Sequence, residues 1–239
     1  MNDLKSKTAL ITGGTKGIGH GIAEALIKEG VNVVLTSRSL TNAEEVAKNL
    51  NRHQMGKAMG VHADVRNLID QGEAVRKALD EFGTLDFVIA NAGLGHFSPI
   101  DELTDHQWKE SIDTNLTGIF YTIKASVDAL KKSKGYFITI SSLAGTNFFE
   151  NGSAYNASKF GVVGFTQAVM LDLRQYDIQV STIMPGSVAS HFNGNEPGEK
   201  DQWKIQPEDI GELIVDMFKM NPRSLPSKIE IRPSKPPIK

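Results

Sequence analysis

The sequence predicts a doubly wound α/β fold: one parallel sheet of about seven strands with helices on both faces, in a single domain. Three observations carry this. Short apolar runs alternate with amphipathic helical segments along the 239 residues. The runs are nearly continuous in apolar character, as strands covered on both faces are. A glycine-rich turn stands between the first run and the first helical segment.

The apolar runs are 9–12, 31–35, 57–62, 85–90, 136–140 and 178–183, with 228–231 as a seventh candidate. Between them, 19–29, 41–51, 67–82, 104–130, 153–176 and 207–219 place apolar residues at helical spacing. Strand, helix and strand repeat without a linker, so residues 1–232 are expected to form the domain. Residues 233–239, Pro-Ser-Lys-Pro-Pro-Ile-Lys, read as an extended proline-rich tail. The polar stretch 187–205 has the length of a binding loop or lid.

Composition narrows the function. The net charge is −2, so no broad basic field is available and nucleic acid is not an expected partner. With no cysteine, disulfides, thiolate metal sites and cysteine nucleophiles are excluded. His96, His106 and His191 show no pair at ligand spacing on one face, and no metal is expected. No apolar signal core opens the sequence and no run approaches the ~18 apolar residues of a membrane span. A cytoplasmic protein acting on a small molecule, with no membrane partner, is the expectation.

The turn after the first run reads Thr12-Gly-Gly-Thr-Lys-Gly-Ile-Gly19. Glycines let backbone approach a pyrophosphate, and the following helix N-terminus offers free N–H donors and a positive dipole end. Gly13, Thr15, Lys16, Gly17, Ile18 and Gly19 are therefore candidate cofactor residues. The second run ends in Ser37-Arg38, where an NAD-preferring site usually has a carboxylate for the ribose 2′-hydroxyl. Arg38 and Lys16 instead suit a 2′-phosphate, which points to NADP(H).

Tyr155 precedes Lys159 by four residues within a helical segment, so both lie on one face. An ammonium beside a phenol favours the phenolate and draws its pKa down from about 10 toward a working range. A chance i, i+4 pair on a surface helix is the bland alternative.

With these residues in place, the chain resembles the single-domain short-chain dehydrogenase/reductase family, which has a Rossmann-like fold, over nearly its whole length. The motifs run in the expected order: Thr12-Gly-x-x-x-Gly-Ile-Gly19, Asp64-Val65, Asn91-Ala-Gly93, Asn115, Ser141-Ser142, Tyr155-x-x-x-Lys159 and Pro185-Gly186. The resemblance implies a tetrad of Asn115, Ser142, Tyr155 and Lys159. In it Tyr155 is the general acid or base, Lys159 lowers its pKa and bonds the nicotinamide ribose, Ser142 donates to the substrate oxygen, and Asn115 holds a water for proton resupply. Ser142 is selected over Ser141 by the family's offset of thirteen residues from the tyrosine (155 − 142). The resemblance further assigns Asp64 and Val65 to the adenine. It places Asn91, Ala92 and Gly93 along the cofactor, and Pro185, Gly186, Val188 and Ser190 at the nicotinamide. Three departures stand out: Ala90 before Asn91, Ser190 in place of a common threonine, and Lys228-Ile-Glu-Ile-Arg-Pro233 without the glycine-rich ending of ketoacyl-carrier-protein reductases. The last puts the seventh strand, and any tetramer built through it, in question.

Segments 94–98, 143–151 and 187–205 follow three strand ends, where ligands of such sheets bind. Leu94, Phe97, Leu143, Phe148, Phe149 and Phe192 would make that wall apolar. An NADPH-dependent reductase of a hydrophobic ketone or aldehyde is the first expectation, a 3-ketoacyl-carrier-protein reductase the second. A non-catalytic NADP(H)-binding regulator would not need all four tetrad residues. A sugar-nucleotide epimerase or dehydratase would need a further substrate domain. The segments 104–130 and 153–176 resemble the family's dimerising helices. Gly161 and Gly164 would permit close contact there, so a homodimer or homotetramer is expected.

Overall fold

A computed structural model describes residues 3–53 and 55–235. All seven expected strands form: β1 (Thr8–Thr12), β2 (Asn32–Ser37), β3 (Ala58–His62), β4 (Phe87–Ala90), β5 (Tyr136–Ile140), β6 (Gln179–Pro185) and β7 (Lys228–Ile231). They build one sheet in the order β3-β2-β1-β4-β5-β6-β7, and every pairing is parallel. The chain winds outward from β1 to β3, then returns to β4 on the other side of β1. That reversal opens a crevice beyond the carboxyl ends of β1 and β4.

The seven main helices are α1 (Gly17–Lys28), α2 (Leu40–Leu50), α3 (Leu68–Phe82), α4 (Asp105–Ile112), α5 (Gly118–Ser133), α6 (Ser153–Leu173) and α7 (Pro207–Lys219). Strand residues alternate between two cores. Ala9, Ile11, Val33, Leu35, Ile89 and Ile138 face a core closed by Ile22 and Leu26 of α1, Ala43 of α2 and Ile214 of α7. Leu10, Val34, Val88 and Phe137 face the other, under Ala74 of α3, Ile123 of α5 and Val162 of α6. Both faces of the central strands β1, β2, β4, β5 and β6 are thus dry, which is why their runs are nearly continuous in apolar residues, while the edge strand β7 alternates exposed Lys228 and Glu230 with half-buried isoleucines.

One expectation changes, and two open points gain an answer. The segment 104–130 is not one helix: α4 begins at a capping box between Thr104 and Gln107, and a π turn, Asp113–Thr117, divides it from α5. Asn115 lies in this turn and is fully buried, drawn toward the backbone of Leu94. Apolar periodicity cannot distinguish a π turn from continued helix, since it shifts the register by one residue. The seventh strand, questioned on its sequence, pairs with β6 from Thr182 to Pro185. Main-chain pairing does not need the glycine-rich ending. Gly161 seats Leu116 of the same chain, since a Cβ there would come within 2.8 Å of its Cδ2, whereas Gly164 meets nothing within 4 Å.

The stretch 187–205 carries two short 3-10 turns and is pinned at its ends, where Ala189 N donates to Ile205 O and Ile205 N to Ser187 O. Of the proposed tail, residues 236–239 lie outside the described residues. No helix among the described residues is long and apolar enough to cross a membrane.

Candidate active site

A cleft of about 460 Å³ opens at the β1/β4 crevice. Its floor is the glycine turn, lined by Gly13, Thr15, Lys16, Gly17 and Ile18. Gly13 and Gly17 adopt φ of +64° and +56°, a region that side chains penalise. Gly19 does not line the cleft but packs beneath it. A Cβ there would stand 2.4 Å from Gly13 O and 2.6 Å from Asn91 Nδ2. Lys16 is the extended residue before α1, whose first turn carries no acidic side chain, so the helix's free N–H groups and dipole face the cleft unopposed.

Thr12 locks this turn to β4. Its Oγ1 accepts from Asn91 N and Ala92 N, while Asn91 Nδ2 donates to Thr12 O and Gly13 O. Asn91, Ala92, Gly93 and Leu94 then form the wall. Ser37 and Arg38 line the far end with Asp64 and Val65. The Asp64 carboxylate is gripped by Arg66, with Nη2 at 2.6 Å and Nε at 3.1 Å from both oxygens. That hydrogen bonding holds Asp64 below the usual carboxylate range. Sequence reasoning missed Arg66, whose neighbour Glu110 receives His96 Nε2 at 2.7 Å. The signal was present: Arg66 is two residues from Asp64, the spacing of an Asx-turn contact.

At the opposite end the tetrad assembles. Asn115 Oδ1 accepts from Leu94 N at 2.9 Å, and its Nδ2 donates to Leu94 O at 2.8 Å and Ser158 Oγ at 3.0 Å. Ser158 Oγ in turn donates to Tyr155 O. The π turn, the β4 loop and α6 are thereby fixed to one another. Ser142 hydrogen-bonds the Tyr155 phenol and accepts from Ala144 N. Ser141 turns the other way, donating to Lys159 O, so the two adjacent hydroxyls are separated by backbone geometry.

Lys159 is buried, with Nζ donating to Ile140 O at 3.0 Å and lying 5.6 Å from the centre of the Tyr155 ring. Loss of water pushes its pKa down to about 8. The expected net lowering of the phenol is not found, because burial dominates it. Desolvation pushes Tyr155 up from its ordinary value, and the Ser142 hydrogen bond only opposes that rise. Shared helical face brings the two side chains together, but the lysine reaches past the ring to the end of β5.

Ser190 lines the cleft above Gly17, as do His191 and Phe192 of the same loop. Pro185, Gly186 and Val188 lie behind it; Gly186 N donates to Ile231 O. Phe97, Phe149 and Phe192 gather around Tyr155 with ring centres 5.4, 6.5 and 5.7 Å away. Leu143 packs toward Gly186 instead, and Phe148 is exposed and stacks on Phe160, so neither joins this cluster.

The cleft fits a dinucleotide: Gly13 and Gly17 leave its floor open to a phosphate, a helix N-terminus without acidic side chains faces it, and Lys16 and Arg38 both line it. The family model for short chain dehydrogenases matches residues 7–201. The trans-4-hydroxycyclohexanecarboxylate dehydrogenase of Sinomonas cyclohexanicum is 37% identical over 224 residues, covering 89% of this chain and 85% of that one. Among solved structures, the alcohol dehydrogenase of the archaeon Thermococcus sibiricus, complexed with 5-hydroxy-NADP, superposes with a TM-score of 0.90 at 30% identity, covering 98% and 99% of the two chains. A 3-ketoacyl-ACP reductase from Sinorhizobium meliloti 1021 gives 0.85 at 34% identity, covering 94% and 96%.

Proposed function

Since this chain belongs to the short chain dehydrogenase family of oxidoreductases, we propose that it is an NADPH-dependent carbonyl reductase with Tyr155 as the general acid. The observation that carries the proposal is the Tyr155 hydroxyl, hydrogen-bonded by Ser142 beside a buried Lys159. Both the phenol and the serine are donors, and Tyr155 lines the cleft where Phe97, Phe149 and Phe192 gather.

NADPH, when bound, supplies the hydride, and Gly13, Thr15, Gly17, Arg38, Asn91 and Lys159 are the residues that would hold it. The chain's own chemistry concerns the carbonyl oxygen. As hydride reaches carbon, the π electrons move to oxygen, where Ser142 and Tyr155 hydrogen bonds stabilise the growing charge more than the starting ketone. Tyr155 then gives its proton to that oxygen, leaving an alcohol and a phenolate. The Lys159 ammonium, close by, steadies the phenolate, and a water at Asn115 would return the lost proton. The relative that acts on an alicyclic alcohol and the alcohol dehydrogenase neighbour both favour an alcohol–carbonyl interconversion.

NADPH over NADH is favoured by Arg38 and Lys16 in the cleft, with no carboxylate at the end of β2. A 3-ketoacyl thioester is the second reading, favoured by the Sinorhizobium neighbour. The chain has no arginine in segment 94–98 to meet an acidic carrier. The test follows NADPH absorbance against ketones, aldehydes, quinones and ketoacyl thioesters, with Tyr155→Phe as control. A loss of roughly 10²–10³-fold in kcat is expected in the control. Undiminished turnover by Tyr155→Phe would remove Tyr155 from the mechanism.

A further inference from the structure

We infer that Gly95, Phe97, Phe149 and Phe192 form an aromatic slot that selects uncharged ketones carrying a flat ring. The inference rests on the carbonyl-reductase reading and narrows its substrate class.

Each phenylalanine comes from a different loop: Phe97 follows β4, Phe149 follows β5, and Phe192 follows β6. The three rings tilt 71°, 51° and 55° against Tyr155. Phe97 also meets Phe149 at 5.7 Å and Phe192 at 6.4 Å. They are not core residues: Phe97 and Phe149 keep 41% and 47% of their surface exposed. Three phenyl rings thus pack around the ring of Tyr155, whose hydroxyl a substrate oxygen must reach. A carbon skeleton placing its oxygen at Tyr155 has to lie against them.

Gly95 sets the spacing. A Cβ built there would stand 2.8 Å from Phe97 Cζ and 2.9 Å from Phe192 Cζ. The absence of a side chain lets the tips of two rings from separate loops close over the same point. Any larger residue would part them, at little cost to the fold, because only the ends of side chains have to move.

A flat ring gains from this arrangement what an open chain does not. Offset and edge-to-face aromatic contacts add to area burial, by an amount that corresponds to roughly 2–10-fold in binding per ring pair. Charge is disfavoured in the same place. Segments 94–98 and 143–151 contain no lysine or arginine. His96 is already engaged by Glu110, and Lys204 by Asp201. Those two segments therefore offer a substrate carboxylate no lysine or arginine to replace its lost water.

The experiment compares acetophenone, 2-octanone of equal carbon number, and 4-acetylbenzoate as substrates with NADPH. Calorimetric titration of each ketone into the Tyr155→Phe variant saturated with NADP⁺ measures binding without turnover. The expected order is acetophenone first, by about 5-fold or more in kcat/KM and in affinity. Gly95→Ala and Phe97→Leu should each narrow the gap to 2-octanone by roughly 2–10-fold, with circular dichroism confirming the fold. Equal or better use of 2-octanone or 4-acetylbenzoate overturns the inference, as does an unchanged gap in both variants. If none of the three ketones is reduced, the carbonyl-reductase reading fails, while the titration still decides the ring preference.

Discussion

Lys159→Met should make the protein inactive and yet more stable at neutral pH. The ammonium is buried with a single protein acceptor, Ile140 O, and burial takes its pKa from 10.5 down to about 8. That displacement is worth about 3 kcal/mol. The sign follows from proton counting: between pH 8 and 10.5 the unfolded chain binds the proton and the folded chain does not. The native lysine therefore contributes fully above pH 10.5, and the contribution is lost as pH falls through 8. Below 8 the folded protein carries a desolvated charge. Methionine fills a similar volume and removes that charge, at the cost of one charge-assisted hydrogen bond of about 1.5–3 kcal/mol. The variant is expected to exceed the wild type by about 1 kcal/mol at pH 7. The wild type should then gain on it by about 2 kcal/mol between pH 7 and 10. Denaturant melts of both proteins across that range read the difference directly, since other groups largely cancel. A difference that stays flat with pH would refute the assignment of a depressed lysine pKa, whatever the absolute stabilities.

Arg38→Ala should lower the NADPH over NADH affinity ratio by roughly 10–100-fold, the loss of one charge-assisted contact; an unchanged ratio in titrations of both dinucleotides argues against Arg38 as the phosphate ligand. Gly19→Ala forces a methyl against the Gly13 carbonyl, a backbone atom that has nowhere to go. It should cost about 1–3 kcal/mol in a denaturant melt and weaken dinucleotide binding. Asn115→Ala frees both backbone groups of Leu94 and the Ser158 hydroxyl. It is expected to cost about 2–4 kcal/mol and to raise amide exchange in the β4 loop. Phe120 and Trp108 on α5 and α4, and Phe160 and Leu171 on α6, are exposed together with the open face of Gly164. Light scattering should find a homodimer that buries them, and a monomer at micromolar concentration would count against assembly.

What the sequence determined was everything encoded within a turn or along a strand. Apolar runs specified the buried strands β1, β2, β4, β5 and β6 because both faces of each had to be dry, whereas β7 alternates exposed Lys228 and Glu230 with half-buried Ile229 and Ile231. Glycines at 13, 17 and 19 specified a tight strand-to-helix turn, since Gly13 and Gly17 take positive φ and Gly19 has no room for a side chain. Spacing of four put Tyr155 and Lys159 on one helical face. What only the tertiary structure decided came from contacts between distant segments. The Lys159 ammonium reaches Ile140 across the sheet end, so burial and not the lysine dominates the phenol. Arg66 claims the Asp64 carboxylate. Asn115 leaves the helical register to clamp Leu94, and three loops bring Phe97, Phe149 and Phe192 around the ring of Tyr155. Local sequence sets backbone preference over a few residues. The dielectric around a charge and the partner of a buried polar atom depend on segments that meet only after the sheet has formed.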